Sequence, residues 1–308
     1  MKTRERAMVP RAEPRTYYDR PVLKRPVWKW YIPAYFFSGG MAGASSTLAF
    51  AARLRGNHRL ARRAGLIALG GMAVSPVFLI ADLGRPGRFA NMLRVAKPTS
   101  PMSMGTWLIS AFGPITGAAA VSDATGIAPG VGRLCEALAA MLGPAVSTYS
   151  AVLTADTAIP AWHEAWRELP FVFAGGSAAS AGAAALLVTP GGDSGPARRL
   201  VVLGTVLELG ADRAMEERLG DLAEPYRSGR ASTAATAAKR LLAAGTVLAL
   251  AGRRRPSLGK AAAVATLAGV ALARWSIFRA GLDSAENPRF TVEPQRRRLS
   301  GVSQDIDL

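Results

Sequence analysis

Apolar residues along this chain are collected into runs of about twenty positions, separated by shorter polar and basic segments. A helix of about 20 apolar residues is long enough to cross the hydrocarbon core of a bilayer. The runs predict eight helices, at 31–53, 64–82, 104–122, 134–155, 169–189, 199–217, 238–252 and 259–278. The pattern therefore predicts an all-α, polytopic membrane protein with about eight transmembrane helices.

The eight runs differ in strength. The first five are rich in small and apolar residues and carry no charge away from their ends, whereas the sixth contains Glu208 and Asp212 and the seventh has a short apolar core. Six to eight crossings is therefore the predicted range. Soluble amphipathic helices show a polar position every third or fourth residue, and run 169–189 does not. Small residues such as Gly39 and Gly43, four positions apart, predict close packing between helices.

Charge is concentrated outside the apolar runs. Half of the residues are hydrophobic and 19% are charged, yet the net charge is +17. The predicted organisation is a basic non-membrane segment at 1–30, a first four-helix unit at 31–157, a second at 158–278 and an irregular tail at 279–308. Because the basic residues are scattered over loops on both sides, they do not indicate nucleic-acid binding.

The positive-inside rule gives two opposite orientations. The side that holds both termini carries 26 of the 38 basic residues, with Arg274 counted in the tail, and this count places the termini in the cytoplasm. The short loops on the other side are the more densely basic, and weighting the rule to short loops places the termini outside. The orientation is left open.

Two acidic residues mark helix ends on one predicted membrane face. Asp82 ends the second run and Asp156 follows the fourth, so both lie on the side where the first run begins. An acidic group costs roughly 2.5–3.5 kcal/mol at the bilayer centre, so one beside a span needs a reason. Tyr149 lies two turns before Asp156, on nearly the same face of its helix.

Aromatic residues begin the first run on that same side. Trp30 and Tyr31 stand at its start, and Tyr35 follows Tyr31 at i,i+4. With Tyr149 and the two aspartates, they predict a pocket suited to hydrogen bonding and proton exchange with a flat redox-active ring, in which Asp82 or Asp156 transfers protons. The alternatives are interfacial anchoring for Trp30 and Tyr31, and for Asp82 a salt bridge to Arg85 or a helix-end partner.

The sequence does not offer the ligands that haem, an iron–sulfur cluster or another metal site would need. The only histidines, His58 and His163, lie in predicted loops, and b-type haem needs axial ligands inside helices, so no haem is expected. The single cysteine, Cys135, offers no ligand set for an iron–sulfur cluster, and no metal site is predicted. Glu208 lies mid-span with no evident partner in the sequence. It is either a structural group or part of a proton path.

Four segments carry a resemblance to a known family: WKWYIPAYFFSGGMAGAS, DLGRPGRFANMLRVAKPTSPMSMGTW, YSAVLTADTAIPAWHEAWRELPFVF and ARWSIFRAGLDSAENPRFTVEPQRRR. In these segments the chain resembles the NrfD/polysulfide reductase membrane-subunit family, the quinone-interacting anchors of complex iron–sulfur molybdoenzymes. The second segment, from Asp82 to Trp107, is the most specific part.

The resemblance implies eight helices arranged as two four-helix bundles in the cell membrane. It also implies a four-cluster ferredoxin-like iron–sulfur subunit docked on one face, linked to a molybdopterin oxidoreductase subunit such as one similar to formate dehydrogenase. A quinone, either menaquinone or ubiquinone, would be the exchangeable substrate, with neither haem nor an iron–sulfur cluster in this chain.

Carried over by position, the resemblance implies a quinone pocket near the start of the first span. Its residues would be Tyr149, Tyr35, Tyr31, Trp30 and Arg85, with Asp82 and Asp156 transferring protons. Some family members have a histidine near the start of the first span, where this chain offers only aromatic side chains. Tyr149 is therefore the first choice as hydrogen-bond donor.

Two other functions compete with a quinone-linked anchor. A secondary transporter would use an acidic group such as Glu208 along an alternating-access path, but DLGRP has no counterpart in the second half, as an inverted repeat would require. A purely structural anchor would have no quinone site. The basic residues after Asp82 fit either lipid head groups or an acidic partner subunit.

Overall fold

The computed structural model describes residues 21–189, 191–252 and 255–296. In these ranges the chain is all-α and has no strand, which confirms the all-α part of the predicted fold class. The helices are α1 (Tyr31–Leu54), α2 (His58–Asp82), α3 (Gly87–Met92), α4 (Pro101–Thr125), α5 (Pro129–Ala155), α6 (Pro160–His163), α7 (Leu169–Val188), α8 (Gly195–Leu219), α9 (Glu224–Arg227), α10 (Gly229–Ala251) and α11 (Pro256–Glu286), with a 3₁₀ turn at Gly220–Ala223.

Six of the long helices are apolar enough to cross a membrane, namely α2, α4, α5, α7, α10 and α11. The protein is therefore a multi-pass membrane protein. Helices α1 and α8 have the length but not the composition. Glycine, serine and tyrosine residues lower the hydropathy of α1, and α8 carries charges along its second half.

The helices extend beyond the apolar runs from which they were predicted. Helix α2 begins at His58 rather than at 64, because the Asn57 side chain caps it by accepting a hydrogen bond from the Leu60 amide at 3.1 Å. Helix α11 continues to Glu286 rather than ending at 278, and residues 289–296 are also helical. Hydropathy marks the apolar core of a helix, whereas capping and packing decide where the helix ends. Residues 1–20 and 297–308, parts of the predicted basic segment and tail, lie outside the described residues.

Helix α1 is central to the packing. It contacts α2, α5, α7 and α11, while α4 packs on α5, α8 on α7, and α10 on α11. Because consecutive long helices run in opposite directions, the start of α1 and the ends of α2, α5, α8 and α11 lie on one side, called here the Asp82 side. The opposite ends define the Arg53 side.

Helices α1 and α5 approach most closely where glycines face each other. A Cβ atom at Gly43 would overlap the carbonyl oxygen of Gly143 and lie 2.7 Å from Ser147 Oγ. Just beyond this point, Ser46 donates a hydrogen bond from Oγ to the Ala139 carbonyl oxygen at 3.0 Å. Small residues thus bring the two backbones within hydrogen-bonding reach of each other's side chains.

Substitution at this contact is expected to separate the two helices. Gly43→Ala should lower the free energy of unfolding by about 1–3 kcal/mol, because its Cβ overlaps backbone that has no free space to move into. Gly117→Ala on α4 is the control, since a Cβ there meets nothing within 4 Å. Thermal unfolding in detergent measures the difference, and equal midpoints for the two variants would contradict the close contact.

Candidate functional site

The aromatic start of α1 has an outer and an inner part. Trp30 is 54% exposed. Its ring centroid lies 4.4 Å from that of Tyr31 and 5.7 Å from that of Phe78 on α2. Tyr35, one turn further along α1, is buried. The start of α1 therefore places Trp30 at the outer surface of the helix bundle and Tyr35 inside it.

Tyr35 meets Tyr149 between α1 and α5. Their ring centroids lie 6.3 Å apart in an edge-to-face arrangement. Gly105 on α4 makes room for the second ring, because a Cβ there would overlap it. Among the described residues, the buried Tyr149 hydroxyl has no hydrogen-bond partner. A buried hydroxyl without a partner is costly, so this group is suited to donate to an oxygen of a bound ligand.

Asp82 is held at the end of α2 by the main chain. Its Oδ1 accepts a hydrogen bond from the backbone amide of Lys29 at 2.9 Å, which joins the end of α2 to the segment that precedes α1. The side chain is partly buried. The sequence offered Arg85 or a helix-end group as the partner of Asp82. In the structure the partner is a main-chain amide, and Arg85 is exposed.

The predicted site residues divide into four groups in the structure. Tyr35 and Tyr149 pack together inside, and Trp30 and Tyr31 pack together at the start of α1. Asp82 contacts the segment before α1. The other two, Asp156 after α5 and Arg85 after α2, are exposed at the Asp82 side.

An apolar groove opens beside Trp30. It runs between α1, α2 and α11 with a volume of about 670 Å³, and Phe78 and Trp275 line it together with Gly70 and Gly71. A Cβ at Gly70 would meet nothing within 4 Å, so this glycine leaves space open on the α2 side. The groove runs along α1 from Trp30 at the Asp82 side to Met41 near the middle of the helix.

A tryptophan that the sequence analysis did not single out organises the Asp82 side. Trp162 on α6 is fully buried and lies between Trp28 and Phe278, with ring centroids 5.4 and 6.4 Å away. Its Nε1 donates to the Ile277 carbonyl oxygen at 2.7 Å. This side chain ties the segment before α1 to α11. The residues that it contacts are distant in sequence. The one signal for it in the sequence was its place in YSAVLTADTAIPAWHEAWRELPFVF, a segment that carries the family resemblance.

Two further contacts hold α6 in place. Tyr226 on α9 donates from its hydroxyl to the Ala161 carbonyl oxygen at 2.8 Å, and burial raises the pKa of Tyr226, which keeps the donor protonated. His163 Nδ1 lies 3.0 Å from the Ala155 carbonyl oxygen, so the imidazole is tied to the end of α5. The Asp82 side is thus closed by side chains from several helices.

A buried ion pair lies in the second half of the chain. Glu208 on α8 and Arg274 on α11 are 2% and 1% exposed, with Oε1 and Nη1 3.5 Å apart. Arg274 also donates from Nη2 to the Phe173 carbonyl oxygen at 3.0 Å. From the sequence, Arg274 was counted with the tail and Glu208 had no partner. The structure corrects both points, because α11 is continuous through Arg274 and brings its guanidinium next to Glu208.

A second polar cluster lies on the Arg53 side. Arg53 on α1 pairs with Asp123 on α4 at 2.8 Å and with Glu136 on α5. The cluster lines a cavity of about 60 Å³. Among the described residues, no group of three or more His, Cys, Asp or Glu side chains is arranged to hold a metal ion.

Comparison with known proteins identifies one family. The family model described as "Polysulphide reductase, NrfD" matches residues 21–192 of the chain. The match takes in α1 to α7, and with them the segment from Asp82 to Trp107, called here the connector, the two packed tyrosines and the buried tryptophan of α6. No curated protein matches the chain.

Proposed function

Because the chain belongs to the polysulphide reductase NrfD family, we propose that it is the membrane subunit of a quinone-linked oxidoreductase complex in the cell membrane. In this role it exchanges electrons and protons between a membrane quinone, menaquinone or ubiquinone, and a partner iron–sulfur subunit. The observation that carries the proposal is the buried Tyr149 hydroxyl, which packs against Tyr35 and has no partner among the described residues.

The proposal includes all eight long helices as membrane spans in two bundles. Helices α1, α2, α4 and α5 form the first, and α7, α8, α10 and α11 form the second. Helices α1 and α8 complete the count, since they are as long as their neighbours and pack against them. Their polar residues are tolerated where they face other helices rather than lipid.

The proposed quinone pocket uses the inner aromatic pair. Tyr149 donates its hydroxyl hydrogen to a quinone carbonyl oxygen, and the Tyr35 ring packs against the quinone ring. Asp82 and Asp156 connect the pocket to protons at the surface, while Arg85 and Tyr31 line the approach. Trp30 and the groove beside it offer an apolar path for the isoprenoid tail. Reduction consumes two electrons from the partner subunit and two protons through the carboxylates.

The partner surface is proposed on the Asp82 side. The connector carries four exposed basic residues, which are Arg85, Arg88, Arg94 and Lys97. They suit an acidic face on a four-cluster ferredoxin-like subunit, which in turn contacts a molybdopterin catalytic subunit similar to formate dehydrogenase. Short distances between the partner's clusters and the quinone favour docking on the side that holds the pocket.

Two isosteric substitutions test the quinone site. Tyr149→Phe keeps the ring packing and removes only the hydroxyl, and Asp82→Asn keeps an oxygen that accepts from the Lys29 amide and removes only the charge. Each is expected to lower quinone-coupled turnover of the intact complex by roughly 10²-fold, the size of a typical acid–base contribution. The assay is quinone reduction or quinol oxidation by the purified complex.

Thr148→Val is the control, because it also removes a hydroxyl from α5, next to Tyr149, and that hydroxyl is exposed and donates within its own helix to the Pro144 carbonyl oxygen at 2.9 Å. We expect turnover to remain at the wild-type rate in this variant. Wild-type turnover in both Tyr149→Phe and Asp82→Asn, with the complex assembled, would support a purely structural anchor instead.

Purification of the tagged full chain under mild detergent tests the partners. We expect an iron–sulfur protein and a molybdopterin protein to co-purify with it. Recovery of the chain alone, together with substrate uptake in vesicles, would support a secondary transporter.

A further inference from the structure

A narrow cavity of about 30 Å³ lies among α7, α8, α9, α10 and α11, and its charged lining residues all lie outside the part of the chain that the family model matches. Its charged and polar lining consists of Glu208, Asp212, Glu216, Tyr226, Lys239 and Ser276. A cavity of roughly 10–15 Å³ holds one water molecule when polar groups surround it. This cavity therefore has the size and lining for one or two waters.

Three carboxylates follow one face of α8 through this cavity. Glu208, Asp212 and Glu216 are four residues apart, so they stack along the helix. Glu208 is 2% exposed near the middle of α8, whereas the side chains of Asp212 and Glu216 are 18% and 17% exposed. The row leads from the Asp82 side, where α8 ends, to the interior of the protein.

The outer two carboxylates are closely paired with cations. Lys239 Nζ on α10 lies 2.8 Å from Asp212 Oδ2 and 2.6 Å from Glu216 Oε1. Glu216 Oε2 also lies 2.9 Å from Arg227 Nε at the end of α9. Both outer carboxylates are therefore paired with nearby cations, which hold their side chains in place.

The inner carboxylate is less well compensated. Its cation, Arg274, is 3.5 Å away and is also bound to the Phe173 carbonyl oxygen. Helix α7 packs against Glu208 with the backbone of Gly175 and Gly176, which carry no side chain. Among the described residues, the buried Oε2 of Glu208 has no hydrogen-bond partner. This oxygen is thus a buried acceptor at the inner end of a row of titratable groups.

We propose that Glu208, Asp212 and Glu216 form a proton path from the Asp82 side into the second helix bundle, with Glu208 as the inner proton-binding group. A proton moves between neighbouring carboxylates through water in the cavity and binds at Glu208 Oε2, while the outer carboxylate that released it takes another from the bulk. No electron is transferred. Lys239 and Arg274 act as positioning residues that hold the carboxylates in line.

Infrared spectroscopy of the purified full chain tests the path without any quinone assay. In wild-type protein, acidification is expected to produce the carbonyl band of a buried protonated carboxyl, and Glu208→Gln is expected to remove it. Asp212→Asn should keep the band and slow its appearance after a pH jump several-fold. Persistence of the band in Glu208→Gln, or an unchanged rate in Asp212→Asn, would overturn the proposal.

Glu217→Gln is the control, since Glu217 lies on the same helix next to the row but is exposed and paired with Arg213. Its band and rate should match those of the wild type. A second measurement needs no variant: a hydrophobic carbodiimide reacts with protonated carboxyls inside membranes, and peptide mass spectrometry should locate the adduct at Glu208. Labelling confined to other carboxylates would contradict the proposal. Because neither readout involves quinone, the outcome is independent of the Tyr149 and Asp82 tests.

Discussion

Arg274→Met is expected to be among the most destabilising single substitutions in this chain, lowering the free energy of unfolding by about 3–5 kcal/mol. The change leaves Glu208 buried without its cation, and it removes the hydrogen bond to the Phe173 carbonyl oxygen. It also removes the guanidinium from above the Phe173 ring, whose centroid lies 4.1 Å from Arg274 Cζ. Thermal and denaturant unfolding of the purified protein in detergent measure the loss.

The double variant Arg274→Met with Glu208→Met separates the ion pair from the fold. Replacing both charges by apolar side chains of similar length removes the buried, unpaired carboxylate, so part of the lost stability should return. Arg279→Met is the matched control one turn further along α11. Its side chain is 21% exposed and pairs with Asp283, so we expect a loss within about 1 kcal/mol. If Arg274→Met were no less stable than Arg279→Met, the ion pair would not hold α8 to α11.

Trp162→Ala is expected to loosen the Asp82 side, again by about 3–5 kcal/mol. The indole is fully buried between Trp28 and Phe278, so its removal opens a cavity that these rings cannot fill. Gly281 packs directly against the indole, since a Cβ there would overlap it. The segment before α1, which also binds Asp82 through Lys29, should then become accessible to protease.

Trp166→Ala is the control for this prediction, because Trp166 lies one turn further along the chain and is 56% exposed. It should change stability by less than about 0.5 kcal/mol. Trp162→Phe keeps an aromatic ring and loses the hydrogen bond to Ile277, so an intermediate loss is expected. Limited proteolysis and thermal unfolding measure both effects. A protected segment before α1 in Trp162→Ala would show that α6 does not secure it.

The candidate quinone site was partly predictable because its residues lie at helix ends. The end of a long apolar run locates Asp82 to within a turn, and the alternation of spans places it on the side where Tyr31 begins α1. Helical periodicity relates Tyr149 to Asp156 by two turns. The edge-to-face packing of Tyr35 on Tyr149, and the glycine on α4 that permits it, required the packed structure.

The acidic residues of α8, proposed above as a proton path, illustrate the opposite case. The spacing of Glu208 and Asp212 along one helix face was visible in the sequence, but their cations come from other helices. Lys239 lies on α10 and Arg274 on α11. Arg274 was counted with the tail because a count of charges along the sequence does not consider which residues are paired. How closely each carboxylate is paired with its cation depends on how α10 and α11 are placed relative to α8.

By itself, the amino-acid sequence determined that this protein is all-α, that it passes the membrane several times, and roughly where each long helix lies. These properties are local: bilayer thickness selects runs of about 20 apolar residues, and the helical repeat orders side chains a few positions apart. Only the tertiary structure decided the contacts between distant residues. These are the hydrogen bond from the Lys29 amide to Asp82, the burial of Trp162 and the pairing of Glu208 with Arg274. The reason is that each of these contacts joins residues far apart in the chain, and their geometry is set by helix packing that no local pattern encodes.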